Sequence, residues 1–84
     1  MFLHQAAHDL LAVRAALSLA QEQAVICTER SELAKRAFAQ AELTLAQVLS
    51  AIQEARTSAR ALALLQQKEQ RLIADNDQVL GVLP

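Results

Sequence analysis

Residues 25–31 read Val25-Ile26-Cys27-Thr28-Glu29-Arg30-Ser31, and whether this stretch turns or stays helical decides the fold. β-branched Val25, Ile26 and Thr28 lower helix propensity, and the hydroxyl of Thr28 or Ser31 can cap a following helix. Working outward in both directions, an apolar seam recurs at alternating steps of three and four. It runs Leu3, Ala6, Leu10, Val13, Leu17, Ala20, Ala24, Cys27, Ser31, Ala34, Phe38, Ala41, Leu45, Val48, Ile52, Ala55, Ala59, Leu62. Seventeen of these eighteen positions are apolar against 54% for the chain, so the seam is a coiled-coil repeat and not an accident of composition. Ser31 is its one polar member. The next two positions, Gln66 and Glu69, end the pattern.

Two architectures follow. In the first, helix one covers about residues 2–27, the chain turns at about 28–31, and helix two covers about 32–73. The last residues, 74–84, form a linker or frayed tail after a stop at Asp75-Asn76-Asp77, with Gly81 and Pro84 beyond it. In the second, one helix runs through from Leu3 to Leu62, roughly 90 Å at 1.5 Å per residue. The unbroken phase and the absence of Gly and Pro before Gly81 favour the rod. Leu11, Leu19, Ile26, Leu33, Leu43 and Leu49, all off the seam, favour a bundle, whose helices need a wider apolar face. The expected fold is therefore all-α, an antiparallel helical hairpin that dimerises into a four-helix bundle, with the single long coiled-coil helix as the alternative. Glu32 in the first turn of helix two suits the macrodipole and is spaced to pair with Arg36.

Composition excludes several classes. Eight basic and nine acidic residues spread along 84 leave a net charge of −1, which offers no electrostatic footprint for nucleic acid. One cysteine, Cys27, forms no intrachain disulfide, and no His/Cys cluster has metal-ligand spacing, so neither a metal nor a cofactor is expected. A reducing, cytoplasmic setting follows. No uninterrupted apolar run approaches the ~20 residues of a bilayer span, so direct membrane insertion is not expected.

Phe2 to Leu10 read Phe-Leu-His-Gln-Ala-Ala-His-Asp-Leu. With Leu3 and Ala6 on the seam, His8 projects outward. A neutral imidazole there keeps one free lone pair and can act as a nucleophile toward a phosphoryl donor that a partner brings. Asp9 projects about 100° around the helix from it. No glycine-rich loop exists to cradle a nucleotide. His4 and the pair Arg56 and Arg60 read as surface residues.

This stretch resembles the H-box of the dimerisation and histidine-phosphotransfer domain of two-component sensor histidine kinases: Phe, five residues, His, Glu or Asp, Leu. The resemblance implies that His8 is the phosphoacceptor, Asp9 the acidic neighbour assisting proton transfer, and Phe2 a buried residue. It also implies a dimeric helical hairpin with the histidine midway along helix one. Where that family continues Arg, small polar, Pro, Leu, this chain has Leu11-Ala12-Val13-Arg14. A degenerate module is implied, one that retains transfer better than phosphatase activity. It lacks an ATP-binding domain and so has no autonomous kinase activity.

The expected function is thus a two-component signalling module, with His8 passing a phosphoryl group between a separate ATP-binding kinase domain and a receiver domain, or a degenerate docking version. The alternative is a non-catalytic coiled-coil adaptor or co-chaperone, for example of a bacterial secretion apparatus. In that alternative the face centred on Leu45, Val48 and Ile52 takes an amphipathic partner helix. The short lead before the H-box-like segment also fits a fragment of a longer protein.

Overall fold

The computed structural model describes the backbone of residues 2–82 and the side chains of residue 5 and residues 7–78. The chain is an all-α antiparallel hairpin of two equal helices, α1 (Phe2–Ala39) and α2 (Leu45–Val82), each 38 residues long. The hairpin measures 66 × 15 × 14 Å, so the single chain folds back on itself and is not a straight rod. The turn lies at residues 40–44 and not at 28–31, and α2 runs on through Asp75-Asn76-Asp77 to Val82 where a tail was expected.

The turn sits where local hydrogen bonding closes it. At the end of α1, Glu42 N donates to Ala37 O at 2.8 Å and Ala41 N to Phe38 O at 2.9 Å. This is a Schellman motif with Ala41 as its left-handed residue, at φ 60°. Two residues on, Thr44-Leu45-Ala46-Gln47 forms a capping box. Gln47 N donates to Thr44 Oγ1 at 3.2 Å and Thr44 N donates to Gln47 Oε1 at 2.9 Å. Half-buried Leu43 and buried Val48 occupy the two positions of a hydrophobic staple.

Neither Thr28 nor Ser31 has Glu or Gln three residues on, so residues 28–31 lack the reciprocal cap. Ser31 instead donates from Oγ to Thr28 O at 2.8 Å inside an unbroken α1. The poor propensity of Val25, Ile26 and Thr28 costs only about 0.5 kcal/mol each. A turn there would leave some sixteen residues of helix two without a partner, which costs far more.

The seam forecast for α1 holds at every described position from Leu10 to Ala34, none of which is exposed. Val13, Cys27, Ser31 and Ala34 are its buried members. On α2 the seam follows the forecast through Val48, Ile52 and Ala55, then slips by one residue. Ser58, Leu62, Leu65, Glu69, Leu72 and Asn76 turn inward, while Ala59 and Gln66 face out. The packing face therefore continues well past Leu62. The slip, a step of three from Ala55 to Ser58 where the repeat calls for four, turns the packing face backward around α2, so the half-buried stripe winds about the helix in the sense of a left-handed supercoil. Leu72, Ile73 and Asn76, all half-buried, explain why α2 passes the Asp-Asn-Asp stretch: it still has α1 to pack on.

Arg14 Nε donates to Glu69 Oε2 at 3.4 Å and joins the two helices on one shoulder, fixing their register. Lys35, not Arg36, pairs with Glu32, at 3.3 Å. Because Ala41 adopts a conformation that favours glycine, Ala41→Gly is expected to stabilise the hairpin by about 1 kcal/mol. Thr44→Ala is expected to destabilise it by about the same amount through loss of the cap. Urea titration of both variants, followed by helicity, checks the opposite signs.

Candidate functional site

The helices leave much of their apolar surface open. Among the described residues only Val13, Cys27, Ala34 and Val48, with Ser31, are buried. The large exposed side chains fall on the two shoulders of the hairpin. On one, α1 presents Leu19 (65% exposed), Ile26 (41%) and Leu33 (60%) at seven-residue spacing, one stripe about 21 Å long. On the other, Leu11 and Val25 of α1 lie on the side that carries Leu45 and Leu49 of α2. The expected docking face of Leu45, Val48 and Ile52 is thus split. Val48 is spent on the hairpin's own core, Ile52 is half-buried, and Leu45 remains open.

Two shallow grooves run between the helices on the shoulder that carries the stripe. One, of about 310 Å³, is floored by Val13, Leu65 and Leu72 and edged by Asp9 and Lys68. The other, of about 540 Å³, is more polar, with Arg30 and Glu54 on opposite walls and Cys27 at its floor.

His8 is exposed on the second turn of α1, at the open end of the hairpin and not midway along the helix. Asp9 is half-buried and faces the first groove, where its Oδ1 accepts a hydrogen bond from Gln5 Nε2 at 3.1 Å. The two side chains named by the H-box resemblance therefore diverge, and Asp9 is held by Gln5 instead of by the imidazole. The side chains of Phe2 and His4 lie outside the described residues. No group of three or more His, Cys, Asp or Glu able to hold a metal occurs among the described residues.

Residues Ala7–Ala39 of α1 are long and apolar enough to cross a membrane, with only 11% of the most apolar window buried. Polar residues interrupt this stretch, so it holds no unbroken apolar run of that length. Gln21-Glu22-Gln23 spreads three polar side chains over about 200° of the helix surface, so no rotation of α1 hides them from lipid.

What the sequence reading missed is the shoulder stripe as a surface in its own right. Its members were noticed only as a widening of the apolar face, although their spacing of seven on one helix was there to be read. Comparison with known proteins finds no matching family, no matching curated protein and no matching solved structure.

Proposed function

We propose that this chain is a non-catalytic helical interaction module that docks an amphipathic helix of a protein partner along Leu19, Ile26 and Leu33. One observation carries the reading. The hairpin exposes 6411 Å² where a compact protein of 9.1 kDa exposes about 4,900 Å², a surplus of roughly 1,500 Å². Part of this surplus comes from the elongated shape, but its size matches or exceeds the ~800 Å² per partner of a stable interface. A stripe of branched aliphatic residues at heptad spacing accepts the ridge of another helix in the way that a hairpin accepts its own second arm. The polar Gln21-Glu22-Gln23 belt supports protein rather than lipid as the cover. A second hairpin presenting the same stripe is the homotypic form of this docking and yields the four-helix bundle.

A photo-crosslinking residue placed at Ile26 in the cell of origin is expected to give a discrete adduct whose partner peptide is an amphipathic helix. The same probe at exposed Glu29, on the outer face of α1, is expected to give none. Equal labelling from both positions would remove the reading.

A second reading rests on the exposure of His8 alone: a phosphotransfer module served by a separate ATP-binding kinase domain and a receiver domain. It predicts that incubation with such a kinase labels the wild type and leaves His8→Gln unlabelled. Acid-labile phosphate is the readout, and equal labelling of the two proteins ends it.

A further inference from the structure

We propose that this hairpin exchanges arms with a second copy. The turn straightens, α1 and α2 join into one helix, and two such chains pair antiparallel through the same seam that each hairpin closes on itself.

Three independent features point to this. The heptad phase crosses the turn unbroken: Ser31, Ala34, Phe38, Ala41, Leu45 and Val48 step by three and four in strict alternation. A hairpin has no need of that, because its second helix takes its phase from packing and not from the first helix. A continuous helix needs it at every step.

The turn itself lacks both residues that would forbid straightening. Residues 40–44 contain neither Gly nor Pro, and the left-handed position is filled by Ala41 at φ 60°. An alanine there weights against the closed form by about fivefold or more relative to helical backbone. Short hinges under such strain are where arm exchange between identical chains is easiest.

The hairpin also leaves two seam residues uncovered where the chain leaves the seam, Phe38 at 44% and Leu45 at 56% exposed. Arg14 opposite Glu69 defines a register in the hairpin. Carried through two straight antiparallel helices, the same register sets Phe38 of one chain level with Leu45 of the other, and the reverse across the two-fold axis. The exchanged pair therefore keeps every contact between α1 and α2 and adds a central apolar layer that the closed hairpin lacks. Opposing it are the Schellman and capping-box bonds, which opening gives up, so the turn residues set the balance.

The test uses the full chain with Cys27→Ser, Arg14→Cys and Glu69→Cys, treated with a short bis-maleimide and resolved on a denaturing gel. From the dimer fraction isolated by gel filtration, exchange predicts covalent dimers, because the two thiols that face each other belong to different chains. Links confined within single chains in that fraction, or no dimer at any accessible concentration, would overturn it. Two turn variants give the sign. Ala41→Gly eases the left-handed turn and weakens a continuous helix, and is expected to lower the dimer association constant by about tenfold or more. Thr44→Ala removes the cap and is expected to raise it by about fivefold or more. Scattering of the dimer is expected to show a rod of roughly 120 Å. Shifts of the same sign for both turn variants, or a dimer no longer than the hairpin, would count against exchange. Substitutions in the shoulder stripe leave this equilibrium alone, so partner docking and arm exchange fail separately.

Discussion

Substituting aspartate for Val48 unfolds the hairpin, and the far-ultraviolet circular dichroism of the variant loses most of its helical signal. Val48 is 5% exposed and belongs both to the seam and to the staple that starts α2. The cation level with it in the register of Arg14 and Glu69 is Lys35, which is already paired with Glu32. Burying it unpaired costs several kcal/mol, while its favourable interaction with the N-terminal dipole of α2 contributes at most about 1 kcal/mol. A chain of this length with so few buried side chains has only about 3–5 kcal/mol of stability, so the penalty takes all of it. The control is Leu19→Asp, the same chemistry at a side chain 65% exposed, expected to stay within about 0.5 kcal/mol of the wild type. A folded Val48→Asp protein would mean that the helices do not meet at this seam.

The contrast between those two positions also shows which parts of the structure were legible in the sequence. On α1 the apolar repeat fixes the packing face, because a helix has one rotation that hides Val13, Cys27 and Ala34 together. That rotation needs no knowledge of the partner. The position of the turn does need it. Residues 25–31 have poor helix propensity, but a helix already paired along its length absorbs a few tenths of a kcal/mol per residue. The decisive signal was chemical, and it lay in Thr44-Leu45-Ala46-Gln47, whose hydroxyl and amide cap each other. The glycine expected of such a turn is replaced by Ala41, which concealed the motif. Past Ala55 the seam on α2 was lost in the reading for a geometric reason. A step of three from Ala55 to Ser58, where the repeat calls for four, brings Leu65 and Leu72 inward, while Glu69, a position of the repeat already, stays on the packing face and meets Arg14.

The site was legible in a more limited way. His8 was placed outward correctly by its distance from the seam, and it is exposed. That Asp9 faces the groove it lines with Lys68 was not readable, because it depends on which helix lies alongside, and the expected hairpin paired different residues. The same error hid the stripe of Leu19, Ile26 and Leu33. With a turn at 28–31 these residues would belong to two helices, whereas in an unbroken α1 they form one line.

Replacing that line, with Leu19→Gln, Ile26→Gln and Leu33→Gln together, abolishes docking of the partner helix while leaving the hairpin folded. Each side chain is already substantially open in the free chain, so its loss takes little from the core and helicity stays near the wild-type value. In the complex the same three side chains are covered, and each contributes about 1–2 kcal/mol on burial. Together they amount to roughly a few hundredfold to ten-thousandfold in Kd, measured by fluorescence anisotropy with the labelled partner helix recovered by crosslinking. The matched control replaces Glu22, Glu29 and Arg36 by glutamine on the outer face of α1, where three exposed charges flank the stripe without belonging to it. Exposed charges at the rim of an interface change affinity by less than about 1 kcal/mol each, so this variant is expected to bind within about tenfold of the wild type. Undiminished binding by the stripe variant would transfer the docking site to the opposite shoulder, where Leu11, Val25, Leu45 and Leu49 stand open. Equal losses in both variants would mean that charge, and not the aliphatic stripe, holds the partner.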